Sequence, residues 1–93
     1  MLRTMIAEGP FEQKWILQGR LCGAWAADVK ERWERTRGTR TGCRCIVDLE
    51  DVTSVDEVGE SALAEMALEG ARLVASRAYL KSIVQALRPK HRR

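Results

Sequence analysis

The stretch from Cys45 to Glu60 constrains the fold of this chain more than any other. It opens with Cys45-Ile46-Val47-Asp48-Leu49, a largely apolar run that suits a strand buried on both faces. The chain then passes through an acidic turn around Glu50 and Asp51 and enters a helix near Asp56. Asp56 is placed to cap the free N–H groups of the first helical turn, where Glu57 and Glu60 add the negative charge that a helix dipole favours. A buried strand that feeds a helix through a defined loop is the building unit of an α/β sheet.

The flanking segments extend this unit. Residues Leu2 to Ala7 are a weak strand candidate, Glu8-Gly9-Pro10 signals a turn, and Lys14 to Leu21 alternates, with Trp15, Leu17, Gly19 and Leu21 on one face and Gln18 and Arg20 on the other. These two segments are expected to form a hairpin, in which Gly19 marks a close approach of other backbone or of a neighbouring helix. A helix is expected from Ala24 to about Arg37, with Trp25, Val29 and Trp33 on one buried stripe. Its outer face pairs Asp28 with Arg32, Lys30 with Glu34 and Glu31 with Arg35, contacts worth about 0.2–0.5 kcal/mol each. Residues Gly38 to Gly42 read as a loop and Arg44 to Leu49 as the central strand.

The second helix is expected from about Glu57 to Glu69, with Ala62, Leu63, Met66 and Ala67 on its apolar side and Gly70 as its stop. Ala71 to Ala75 alternates like a strand. A third helix from about Ala78 carries Tyr79, Leu80, Ile83, Val84 and Leu87, and Pro89 ends it. The order β-β-α-β-α-β-α implies an α/β fold with a small, mainly parallel or mixed four-stranded sheet and about three helices, its crossovers right-handed.

With 93 residues there is one core, so residues 1–87 are expected to form a single domain and 88–93 a basic tail. No apolar run is long enough for a membrane span, and Gly9-Pro10 follows the first apolar residues too soon for a secretory signal, so a cytoplasmic location is expected. Three cysteines, Cys22, Cys43 and Cys45, are an odd count without a second Cys-x-Cys pair, which argues for packing rather than a disulfide framework or a metal site. Cys43 and Cys45 would point to the same face of a strand.

The formal charge of +3 is unevenly placed. Without the tail residues Arg88, Lys90, Arg92 and Arg93, twelve basic side chains stand against thirteen acidic ones. From Cys45 to Ala71 there are eight carboxylates and no Lys or Arg, a block that disfavours nucleic acid on that side. Catalysis has little support. There is no Gly-rich phosphate loop, no Ser/His or Cys/His constellation, and the lone His91 lies in the tail. No cofactor or metal is expected.

The segments Leu17-Gln18-Gly19-Arg20-Leu21, Val47-Asp48-Leu49, Val52-Thr53, Val55-Asp56 with Gly59, and Gly70-Ala71-Arg72-Leu73 resemble the STAS domain, the fold of bacterial anti-sigma factor antagonists, over about residues 2 to 87. In that family the turn after the central strand reads Asp-Ser-x-Gly, and a partner kinase that is also the anti-sigma factor phosphorylates the Ser. Here the tetrad is Asp56-Glu57-Val58-Gly59, so the phosphoacceptor position is Glu57, which cannot be phosphorylated. Phosphoserine carries about −1.5 to −2 charge, whereas Glu supplies about −1 permanently. The resemblance implies a non-enzymatic interaction module for partner switching in transcription regulation. It places the partner-binding surface at Ser54, Asp56, Glu57, Val58, Gly59, Glu60 and Ser61. The implied partner is an ATPase-like anti-sigma factor or kinase, and the alternative is the ATPase of an ABC-type lipid transport system, to which STAS-like accessory subunits bind. Family members often continue with a further strand and helix, so the sheet here is expected to be one edge strand smaller.

Overall fold

The computed structural model describes residues 1–87, and the basic tail at 88–93 lies outside the described residues. Strands β1 (Leu2–Glu8) and β2 (Glu12–Leu21) form the expected hairpin. Helix α1 (Gly23–Arg35), strand β3 (Arg44–Val55), helix α2 (Glu57–Leu68), strand β4 (Arg72–Val74) and helix α3 (Ala78–Leu87) follow. The sheet order is β1-β2-β3-β4, with β1 antiparallel to β2 and the other neighbours parallel. The fold is therefore the mixed four-stranded α/β sheet with three helices that the element order implies. A short 3-10 turn at Arg37–Arg40 occupies part of the expected loop.

One face of the sheet makes the core. Trp15, Leu17 and Leu21 of β2 and Cys45, Val47, Leu49 and Val52 of β3 are buried against Ala26, Val29 and Trp33 of α1, Leu63 and Met66 of α2, and Leu80 and Val84 of α3. The intervening residues Lys14, Ile16 and Gln18 of β2 and Ile46, Asp48 and Glu50 of β3 are only half-buried. Burial of β3 on both faces is thus corrected to burial on one. The helices sit on one side, and alternation of Ile46, Asp48 and Glu50 with Cys45, Val47 and Leu49 is what a one-sided strand requires.

The acidic turn at Glu50 and Asp51 is also corrected: these residues lie inside β3, which runs on to Val55. Ile16 pairs with Asp48 but Gln18 with Asp51, and Gly19 pairs with Val52 but Arg20 with Ser54, so β3 carries an extra residue at each of two places. Such bulges bend a strand and shift which side chains face the core, which is how Leu49 and Val52, three apart, are both buried. At the first bulge Asp48 Oδ1 accepts a hydrogen bond from the Glu50 backbone N–H at 2.9 Å. A carboxylate bonded to backbone two residues on is also how a turn is built, hence the turn-like reading.

Helix α1 buries Ala26, Val29 and Trp33, whereas Trp25 is 44 % exposed. The expected stripe holds from Val29 to Trp33 and fails at Trp25: each four-residue step turns about 40° past a full circle, so the buried stripe runs through Ala26, Val29 and Trp33 and leaves Trp25 at its margin. Of the three expected pairs along the helix, only Glu31–Arg35 forms, at 3.6 Å. Lys30 turns instead to Glu65 of α2 at 3.7 Å, since packing against α2 offers a partner of opposite charge across the helix interface. Trp33 is the hub of the core. Its ring meets Trp15 edge-on at 5.4 Å between centroids, the Arg40 guanidinium lies 3.5 Å from its centroid, and its Nε1 donates to Glu69 Oε1 at 3.1 Å. Arg37 and Arg40 bond the same Glu69 carboxylate, which the Arg37 guanidinium above all holds below the usual carboxyl range.

Cys45 is buried, and burial pushes its thiol pKa up. Cys43 precedes β3 rather than sharing a strand face with Cys45, and its Sγ lies 3.8 Å from the Thr39 carbonyl oxygen. All three cysteines are free. At Gly19 the close approach is made by backbone: φ is +111°, and an added Cβ would lie 2.2 Å from the Met1 carbonyl oxygen.

Candidate functional site

Strands β2 and β3 are parallel, so both release their helices at the same end of the sheet. The two helix N-termini meet there, and one carboxylate joins them. Asp56 Oδ1 accepts from the Gly59 N–H at 2.9 Å, the ordinary bond of a residue capping its own helix α2. Asp56 Oδ2 accepts from the Gly23 N–H at 2.9 Å, at the start of α1. Cys22, which flanks α1, makes no capping bond of its own. Asp56 therefore caps one helix locally and a second from 33 residues away. The Gly59 and then the Gly23 N–H groups hold its carboxyl below the usual range, as donors aimed at the charged form do.

Gly59 fixes how close α2 comes. A Cβ at this position would lie 2.2 Å from the Leu21 carbonyl oxygen and 2.9 Å from Val55 Cγ1. The Asp56 N–H also reaches the Leu21 carbonyl oxygen, at 3.4 Å. The tetrad Asp56-Glu57-Val58-Gly59 thus divides by role. Asp56 and Gly59 build the corner, and Glu57 and Val58 are exposed on it.

The remaining expected residues spread around this corner. Glu60 and Ser61 are exposed on the next part of α2, where Ser61 Oγ accepts from Lys30 Nζ at 3.4 Å. Ser54 is half-buried before the corner, with its Oγ 3.5 Å from Cys22 Sγ. The structure brings Ser54, Asp56 and Gly59 into the frame and leaves Glu57, Val58, Glu60 and Ser61 on the surface. Both Asp56 oxygens are already bonded to backbone.

Trp25 belongs to this end of the molecule too. With Arg20, Cys22, Gly23, Ala24 and Asp56 it lines an open concavity of about 380 Å³. Its place beside the stripe of Ala26, Val29 and Trp33, rather than on it, is the signal that the four-residue spacing to Val29 masked. On the far side of β3, the Tyr79 hydroxyl meets the backbone N–H and carbonyl of Val55 at 3.3 and 3.4 Å, closing the strand edge beyond the short β4. Among the described residues, no group of three or more His, Cys, Asp or Glu side chains is arranged to hold a metal ion, and no helix is long and apolar enough to cross a membrane.

No protein-family model matches the sequence, and no curated protein is significantly similar to it. Among solved structures, the chain is similar to an uncharacterized protein of the DUF3478 family from Shewanella loihica PV-4, described as having a SpoIIAA-like fold. The superposition gives a TM-score of 0.56 at 8 % sequence identity and covers 91 % of this chain and 75 % of that one. At this identity the likeness concerns the fold: the chain has the SpoIIAA-like, STAS-like α/β architecture.

Proposed function

We propose that the protein is a non-enzymatic interaction module of the anti-sigma factor antagonist type, which binds an ATPase-like partner through the start of α2 and takes no phosphate there. The observation that carries this reading is the division of labour at the corner. Asp56 and Gly59 lock the two helix starts together, and Glu57, Val58 and Glu60 stand exposed on that rigid frame. A binding surface gains when its contact residues are held in place before the partner arrives, because less ordering is left to do on association. Glu57 supplies a constant negative charge at the helix N-terminus, where a phosphorylatable side chain would supply a variable one. The partner surface complementary to Glu57 and Glu60 is basic.

The experiment is affinity capture from the native host on immobilised protein, with Glu57→Lys as the paired control. The reading expects an ATPase-like anti-sigma factor retained by the wild type and lost by the variant. Retention of an ABC transporter ATPase instead moves the assignment to the lipid-transport alternative, and equal retention by both proteins removes the interface from this corner.

A further inference from the structure

The face of the sheet that the helices leave open is unevenly charged. Its register sets Lys14, Ile46 and Arg72 side by side across β2, β3 and β4, and Arg44 lies two residues before Ile46 on the same face. With Asp48 and Val74 these residues line a shallow concavity of about 330 Å³. Lys14 is paired with Asp48 at 3.7 Å. Arg44 and Arg72 are exposed, and among the described residues neither takes part in an ion pair. Strand spacing puts their Cα atoms about 8 Å apart, on either side of the half-buried Ile46.

We propose that this face binds an acidic segment of a partner protein, whose carboxylates pair with Arg44 and Arg72 while an apolar side chain covers Ile46 and Val74. The site is separate from the start of α2, lying on the helix-free face at the other end of β3. Charge complementarity selects the occupant. A guanidinium presents a planar fork that matches a carboxylate, and two of them beside an apolar floor call for carboxylates and an apolar group together. Nucleic acid fits poorly, because no aromatic side chain lines the concavity for a base to stack on. A uniformly anionic surface, whether phosphate backbone or lipid, also meets the half-buried Asp48 and Glu50 on the same face, whereas a peptide places its charges locally.

The test uses a fluorescein-labelled Glu-Glu-Leu-Leu-Glu-Glu peptide, titrated at low salt and followed by anisotropy and by amide chemical shifts. The expected result is binding with shifts centred on Arg44, Ile46, Arg72 and Val74, and no binding of the Lys-Lys-Leu-Leu-Lys-Lys peptide. Arg44→Glu with Arg72→Glu weakens the interaction by about tenfold or more. If the charge-reversed protein does not fold, Arg44→Gln with Arg72→Gln gives a smaller drop in the same direction. No binding to the wild type, shifts centred elsewhere, an affinity indifferent to both arginines, or tighter binding to oligothymidylate or phosphatidylglycerol vesicles than to the peptide overturns the proposal.

Discussion

Substitution of Gly59 by alanine tests the corner where opposing effects differ in sign. Helix propensity alone favours alanine over glycine by up to about 1 kcal/mol, so an unobstructed helix would gain stability. The structure predicts the reverse. The new Cβ would lie 2.2 Å from the Leu21 carbonyl oxygen, where real Cβ atoms keep at least 3.0 Å, so α2 must withdraw by roughly 0.8 Å. The obstacle is backbone at the end of a buried strand rather than the tip of a flexible side chain, which puts the overpacking cost near the upper end of its usual range of about 1–3 kcal/mol. Withdrawal also stretches the Gly59–Asp56 bond that holds the helix start. The net expectation is a loss of about 2 kcal/mol, which for a domain of this size lowers the thermal midpoint by roughly 8–16 °C. Circular dichroism melts of Gly59→Ala, with Gly38→Ala as the control, measure it. An added Cβ at Gly38 meets nothing within 4 Å and its φ is not positive, so that variant should melt within about 0.5 kcal/mol of wild type. A Gly59→Ala midpoint at or above wild type would refute the close approach of α2 to β2.

Two further outcomes follow from the same geometry. Trp33→Ala should cost about 3–5 kcal/mol, because it removes the contacts to Trp15 and Arg40 from the centre of the core, whereas Trp25→Ala, at the exposed rim, should cost far less; equal losses in urea unfolding would place both rings in the same environment and contradict the helix orientation. The depressed pKa of Asp56 means that its contribution to stability is complete above the ordinary carboxyl value of 3.8 and is lost as pH falls through the lower folded value. Asp56→Asn should therefore differ most from wild type in thermal midpoint above about pH 5, and the two curves should converge in acid, with Glu69 supplying an acid slope common to both. A midpoint difference that is constant with pH would show that the Asp56 charge does not hold the two helix starts.

The order of elements was legible because each strand and helix carries its own period. Trp15, Leu17 and Leu21 alternate on one face of β2, and Leu63 and Met66 fall on one side of α2. The capping role of Asp56 in α2 was equally open, since a cap acts within four residues. Its bond to Gly23 was not, because nothing local marks a contact across 33 positions. The bulges of β3 were hidden for a related reason: an extra residue is defined only by the register against β2, and Asp48, Glu50 and Asp51 taken alone look like a turn. Trp25 misled because a four-residue spacing drifts around the helix: residues eight apart do not share the centre of the buried stripe, which Trp33 shares with Ala26 instead. The open face followed from neither charge nor period. It became visible only when all three helices were placed on the other side.

The central claim is that Glu57, on the corner fixed by Asp56 and Gly59, is a contact residue of the partner interface. Isothermal titration of the captured partner into wild-type and Glu57→Lys protein measures it directly. An exposed substitution outside the core leaves the fold within about 0.5 kcal/mol of wild type apart from a small loss to the helix dipole, so a change in affinity reports on the surface itself. The account predicts that Glu57→Lys weakens binding by about tenfold or more while its melting curve stays close to that of the wild type. Equal affinities in the two titrations would contradict it.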